Sequence, residues 1–331
     1  MKPFYALTMR GRIPRLRALA LAALQEYDLP LSRLRFMSDG WNYVFRVDTT
    51  SGEKVVLRVS RPDKYGPDDV RSEMIWLDAL HRDTDLLLPA PLRTRSGELF
   101  TTVQVAEVPE ARHVVVFSWV AGRDLGDALT LANYAATGEL LARLHEHSAQ
   151  WTPPADLIIR RNDTVYHPTD PPRLFEPAFR DRLNENLWAL LARAEAQVAA
   201  AQAELWGREE PPRVIHYDLH QWNVKVQRGK VHAIDFEDLV WGYPVQDIGL
   251  IFYYIQDRED AVALRQAFQD GYTRRLPWPE RFPGEIAIHT VRRSLDFANL
   301  LIDEQDPAEQ AFIAGFFQRL EERLRRYFAE N

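Results

Sequence analysis

The sequence predicts an α+β chain of two lobes: a small β-rich N-terminal lobe with one main helix, and a larger, mostly α-helical C-terminal lobe. Three observations carry this. Residues 34–60, LRFMSDGWNYVFRVDTTSGEKVVLRVS, alternate with period two around the turn signals SDG and TTSGE, which is the pattern of a strand meander. From about residue 123 onward the apolar spacing is helical almost throughout. Inside that helical text stands one isolated pair of short strands, VKVQ and VHAI, separated by RGK.

In chain order, residues 1–30 read as a helical extension. Arg10, Arg12, Arg15 and Arg17 before ALALAAL loosely imitate a secretory signal, but the apolar run is short and continues into QEYDLP, as an amphipathic helix ending before Pro30 does. The β-rich lobe spans 31–118. Its helix is GPDDVRSEMIWLDALHRD, with Val70, Met74, Leu77 and Leu80 on one face, and two more strands follow in ELFTTVQVA and RHVVVFSWV. Residues 119–122 connect to the second lobe, 123–331. There NYAATGELLARLHEHS is helical, PAFRDRLNENLWALLARAEAQVAAAQAELW reads as one long helix, and the Pro-rich WTPPAD and HPTDPPRLFEP link them on the surface. Segments 246–256, 259–275, 284–303 and 307–329 complete the helical set.

Composition narrows the function. A chain of 331 residues is long enough for two lobes. A net charge of −7 disfavours nucleic acid and anionic membrane as partners. The absence of cysteine excludes disulfides, thiolate catalysis and Cys-based zinc sites. No stretch approaches the roughly 20 apolar residues of a membrane helix, and a cytoplasmic location is expected.

The chemistry concentrates in HYDLHQWNVKVQRGKVHAIDFED, residues 216–238. Gly229 is the midpoint of residues 223 and 235, so a hairpin centred on it sets Asn223 and Asp235 opposite each other at its open end, within about one residue of register. An amide oxygen beside a carboxylate suits a hard cation such as Mg²⁺. Asp218, on the loop entering the same end, is an acid not obviously committed to metal. The other reading is that these acids cap strand ends and solvate a surface turn.

HYDLHQWN fits the kinase catalytic-loop pattern H-x-D-L-x-x-x-N, and Asp235-Phe236 begins like D-F-G, with Glu237 in place of glycine. With His220, the 12-residue step to IDFED, and Gly242 and Asp247 in WGYPVQDIG, the chain resembles the aminoglycoside phosphotransferase and choline kinase superfamily. LRVSRP, SEMIWLDAL and LLARLHEHS make it similar to the bacterial homoserine kinase type II-like and stress-response-kinase-like branch. The resemblance covers about residues 30–255 and implies a bilobal protein-kinase-like fold and an ATP-dependent phosphotransferase, with GTP as an alternative donor. It implies that Asp218 accepts or orients the proton of a substrate hydroxyl, and that Asn223 and Asp235 hold Mg²⁺ on the nucleotide phosphates. It further implies that Arg58, where the family usually has lysine, pairs with Glu73. Ser38, Asp39, Gly40, Trp41 and Asn42 would cover the phosphates, although only one glycine is present. Val44 and Val56 would pack on the adenine, and Ser118, Trp119 and Val120 would form the hinge that reads the purine edge. Asp247 would brace the catalytic loop.

The 12 residues from Asp235 to Asp247, with no A-P-E after them, leave no room for a peptide-binding activation segment, which favours a small hydroxyl-bearing acceptor. Asp257, Arg258, Glu259, Asp260, Arg292 and Arg293 are the charged residues near its expected place. Three other readings stand beside this one. One is a kinase acting on protein Ser/Thr; another is a pseudokinase-type nucleotide-binding module, supported by Arg58 and the single-glycine loop. The third is a metal-dependent hydrolase built on His216, Asp218 and His220.

Overall fold

The parity of the small lobe's strands decides what faces the site. The computed structural model describes residues 2–62 and 64–330, so the outermost residues of the expected first and last segments lie outside it. It forms an antiparallel sheet in the order β1-β2-β3-β5-β4, from β1 (Leu31–Ser38), β2 (Asn42–Thr49), β3 (Lys54–Ser60), β4 (Thr101–Val103) and β5 (Arg112–Ser118). On β3, Val55, Leu57 and Val59 turn to one face, where they share a core with Leu16, Leu19, Ala20 and Ala23 of α1 (Met9–Leu24). The N-terminal helix thus closes one side of the small lobe. Val56 and Arg58 must then turn to the other face, toward α2 (Pro67–Asp83), whose Val70, Met74 and Leu77 pack with Val115 and Phe117 of β5. α2 starts where Pro67 fits the first helical position and Asp69 accepts the Gly66 N–H at 2.9 Å.

The large lobe opens with the two-residue strand β6 (Arg123–Asp124) and α3 (Leu131–Gln150), whose N-terminus is capped by Thr130. The stretch 177–206, expected as one helix, divides. A 3₁₀ turn, Pro177–Arg182, precedes α4 (Glu185–Trp206), because the Asn184 side chain accepts the Leu187 N–H at 2.8 Å and starts the helix there. Next come β7 (Arg213–Ile215), β8 (Val224–Gln227), β9 (Lys230–Ala233) and β10 (Val240–Gly242). The β8–β9 hairpin is less isolated than expected. β6 extends it to three strands and β7 pairs with β10 beside it, segments too short to show a period in the sequence. Helices α5 (Pro244–Tyr253), α6 (Ala261–Tyr272), α7 (Glu285–Leu301) and α8 (Gln310–Glu330) close the lobe. Among the described residues no helix is long and apolar enough to cross a membrane.

α3 and α6 meet backbone to backbone. A Cβ added at Gly271 would stand 1.8 Å from the Ala135 carbonyl oxygen, and one at Gly138 would stand 2.1 Å from that of Phe268. Gly271→Ala is therefore expected to cost about 1–3 kcal/mol in urea unfolding. Gly40→Ala, with open space around the added methyl, should stay within about 0.5 kcal/mol. Equal effects of the two would contradict this packing.

Candidate active site

The loop joining β7 to β8 carries the acid at the centre of the site, and its backbone is unusual. Tyr217 has φ 60°, a left-handed conformation that costs a non-glycine residue energy and persists only where the surroundings enforce it. Asp247, fully buried in the first turn of α5, does the enforcing. Its carboxylate accepts the N–H of His216 at 3.1 Å and of Tyr217 at 2.8 Å, and His145 Nε2 lies 3.0 Å from it. Burial lowers the pKa of both His145 and His216, which keeps the imidazoles neutral. A neutral ring has one donor and one acceptor. His216 uses both: Nδ1 accepts the Asp218 N–H at 3.3 Å, and Nε2 donates to the Ile234 carbonyl at 3.2 Å. It is a strut between the loop and the hairpin, with no nitrogen left for the metal that the hydrolase reading requires. Nδ1 of His220 likewise accepts the Trp222 N–H at 3.1 Å.

The hairpin turns on two residues, Arg228 (φ 51°) and Gly229 (φ 75°). Val224 therefore pairs with Ala233, and the register sits one residue from the symmetric arrangement about Gly229. Asn223 faces Ile234, whose N–H donates to its carbonyl at 2.9 Å, and Asp235 is the next residue, with φ 65°. Asn223 Nδ2 donates to Asp218 Oδ2 at 2.8 Å and to the Asp218 carbonyl at 2.9 Å, which leaves the amide oxygen for a cation. The Asp235 side chain is 42% exposed. Burial pushes its pKa up to about 6 against the pull of Arg58, with Glu73 adding to the rise. Asp218 is raised well above the usual carboxylate range, by burial first and then by Asp238, against Arg293, which approaches its Oδ1 at 3.2 Å. Asp218, Asn223 and Asp235 line one polar chamber of about 330 Å³. An amide oxygen and a carboxylate at its inner end fit a Mg²⁺ that takes its remaining oxygens from phosphate and water.

The chamber opens into an apolar slot of about 280 Å³, lined by Met37, Val44, Val56, Leu77, Phe117 and Ile234. Ser38, Val44, Arg58 and Asp235 border both spaces. Ser118, Trp119 and Val120 also line the slot, and Gly40, Trp41 and Asn42 line the chamber. Asp39 lines neither space, and its carbonyl accepts from Arg61 at 2.7 Å. The Ser118 N–H donates to the Ala90 carbonyl at 2.9 Å, so of its backbone groups that one is already used. Asn42 is tied across the cleft, donating to Glu237.

Arg58 and Glu73 meet as a fork, with NH1 donating to Oε1 at 2.9 Å and NH2 to Oε2, and both side chains are buried. The same guanidinium lies 3.5 Å from Asp235 Oδ1 and 3.5 Å from Glu237 Oε2 and stacks over Phe117. Its two terminal nitrogens face protein carboxylates, while Nε is buried without a hydrogen-bond partner.

The acceptor side gathers residues that the sequence did not single out: Lys64, His167, Asp170, Tyr254, Asp296 and Phe297 all line the chamber. Of the charged residues expected there, only Arg293 arrives. Arg292 is buried against the Tyr217 hydroxyl and Asn162, Asp257 pairs with Arg323, and Arg258 with Asp260. The usable signal was the face of α7, where Arg293, Asp296, Phe297 and Leu300 recur at helical spacing.

Glu73→Ala strands Arg58 beside two partners at 3.5 Å, so it is expected to lower stability by about 3 kcal/mol or more in urea unfolding. A loss below about 1 kcal/mol would contradict the role assigned to this pair.

The sequence profile described as "Phosphotransferase enzyme family" matches residues 33–282. Amicoumacin kinase of Bacillus subtilis is 23% identical over 250 residues, 70% of this chain and 66% of that protein. Homoserine kinase of Pseudomonas aeruginosa is 27% identical over 318 residues, 87% of this chain and 90% of that one. Among solved structures, a microcompartment-associated aminopropanol kinase superposes with a TM-score of 0.82 at 26% identity, over 95% of this chain and 98% of that one. The amicoumacin kinase hAmiN, in complex with AMP-PNP, Ca²⁺ and Ami, superposes with 0.73 at 16% identity, over 95% and 94%. The resemblance carried by HYDLHQWN and IDFED is borne out, and so is the two-lobed α+β fold. The chain belongs to the Phosphotransferase enzyme family.

Proposed function

We propose that this protein is a kinase that moves the γ-phosphoryl group of ATP, with Mg²⁺, onto the hydroxyl of a small amino alcohol. The observation that carries the reading is the meeting of Asp218, Asn223 and Asp235 in one chamber at the polar end of an apolar slot. The slot accepts the flat base, with Val44, Val56 and Phe117 against its faces and Trp119 and Val120 at its edge. Mg²⁺ held by Asn223 Oδ1 and Asp235 would neutralise charge on the phosphates. Asp218 takes the proton of the acceptor hydroxyl as that oxygen bonds to the γ-phosphorus and the bond from phosphorus to the ADP oxygen breaks. The proton then leaves to solvent. The raised pKa of Asp218 supports this, because a stronger base accepts a proton more readily near neutral pH.

The acceptor's class follows from what lies beyond Asp218. Asp296 Oδ1 is buried without a hydrogen-bond partner, Asp170 is close by, and Tyr254 and Phe297 supply aromatic surface. An ammonium group satisfies such a pocket. The guanidinium of Arg293, the cation beside Asp296, already serves Asp218, Asp296 and the Tyr254 hydroxyl, which leaves it engaged and poorly placed to receive a carboxylate. This favours an amino alcohol over homoserine, in keeping with the likeness to an aminopropanol kinase. The short passage from Asp235 to α5 favours a small acceptor over a protein.

Two outcomes test the reading, both measured as acceptor-dependent ADP release from MgATP. Aminopropanol should be used with a higher kcat/KM than homoserine; the reverse order would contradict the acceptor assignment. Asp218→Asn should keep its affinity for MgATP while kcat falls by about 10²-fold or more. Unchanged turnover in that variant would contradict the mechanism.

A further inference from the structure

A chamber that must hold the end of a triphosphate is lined by six carboxyl groups and only three cationic side chains, Arg58, Arg293 and Lys64. A Mg²⁺ at Asn223 and Asp235 would offset part of this excess, and any further positive charge for the phosphates must come from whichever of these side chains is free. Arg58 is enclosed by Glu73, Asp235 and Glu237, and its side chain is 7% exposed. Arg293 is held by Asp218 and Asp296. Lys64 differs. Among the described residues no carboxylate forms an ion pair with it. Its Nζ rests 3.8 Å from the centroid of the Trp41 ring and 5.1 Å from that of Tyr65.

The position of this lysine is set from both lobes. Trp41 belongs to the turn between β1 and β2 and is half exposed at the chamber. Tyr65, next to Lys64 in the chain, donates its hydroxyl to Asp238 of the large lobe, which holds Tyr65 against the chamber wall. Lys64 borders the chamber that contains Asp218 and does not border the slot. The phosphate nearest Asp218 is the one to be transferred. A lysine brings a compact charge on a flexible stem and can leave an aromatic face without breaking an ion pair.

We propose that Lys64, delivered by the β3–α2 connection and resting on Trp41, is the cation that contacts the γ-phosphoryl group, in place of the charge that Arg58 spends on protein carboxylates. The inference rests on the reading that this cleft binds ATP. It makes Lys64 a catalytic residue that arrives from outside the strand where the family places its basic side chain, and it answers how the chain functions with arginine on β3.

The test is calorimetric titration of the full chain with MgATP and, separately, MgADP. The proteins are wild type, Lys64→Met and Lys64→Arg. Because γ-phosphate is present only in ATP, Lys64→Met should weaken MgATP binding about tenfold or more and leave MgADP binding within about twofold, while Lys64→Arg restores most of the ATP affinity. A lysine that merely screens the acidic wall would lose both nucleotides to the same extent. Equal losses, or no loss for ATP, would overturn the inference while leaving the nucleotide site standing. Wild type that binds neither nucleotide would overturn the inference together with the reading beneath it.

Discussion

The Arg58 guanidinium sits where the small lobe, the α2 helix and the start of the large lobe's acidic segment converge. Glu73 takes it as a fork from α2, and Asp235 and Glu237 approach it from across the cleft at 3.5 Å each. Removing one partner of such a buried pair leaves an uncompensated charge, which is far more costly than the pair's net worth. The orientation of α2, the position of Asp235 and the closing of the cleft are therefore linked through one side chain. The β3 alternation that buries Leu57 against α1 is what turns Arg58 to this face at all.

A second buried carboxylate performs the matching task in the large lobe. Asp247 holds the backbone N–H groups of His216 and of the left-handed Tyr217, and the His216 ring ties that loop to the exit of β9. The loop's acid and its asparagine are then joined directly, Asn223 Nδ2 to Asp218. Neither site acid is placed by a flexible arm. Each stands on backbone fixed by buried, fully used polar groups, which is the arrangement that phosphoryl transfer needs, since positioning and charge neutralisation supply most of its catalysis.

Much of this was legible in the sequence, and the reason is locality. Asp218, Asn223 and Asp235 lie within 18 consecutive residues, 218–235, so their spacing alone carries the pattern. The resemblance implied a basic residue on the third strand paired with a helix glutamate, and the period of EKVVLRVS and the apolar face bearing Glu73 identified these as Arg58 and Glu73. Register was legible only to one residue, because Arg228 takes a left-handed conformation beside Gly229 and makes the turn two residues long. The break before α4 escaped because the Asn184 cap is a single hydrogen bond within DRLNENLW, a stretch whose apolar spacing runs on into the helix. The acceptor side was not legible. Lys64, His167, Asp170, Tyr254 and Asp296 come from different connections and helices, two of them from a Pro-rich segment without periodicity, and only tertiary packing brings them together. The Ser118 N–H and the Asp39 carbonyl are engaged by Ala90 and Arg61, partners distant in sequence that local pattern does not show.

The central claim is that the Asn223–Asp235 end of the cleft binds nucleotide through a divalent cation. Thermal unfolding of wild type and Asp235→Ala, each with ATP in the presence and absence of Mg²⁺, tests it most directly. Ligand at 100 times its Kd stabilises by about 2.7 kcal/mol, enough to move the transition visibly. The account predicts a Tm rise for wild type that requires both ATP and Mg²⁺ and disappears in Asp235→Ala. A wild type indifferent to MgATP, or an Asp235→Ala protein that shifts as far as wild type, would contradict it.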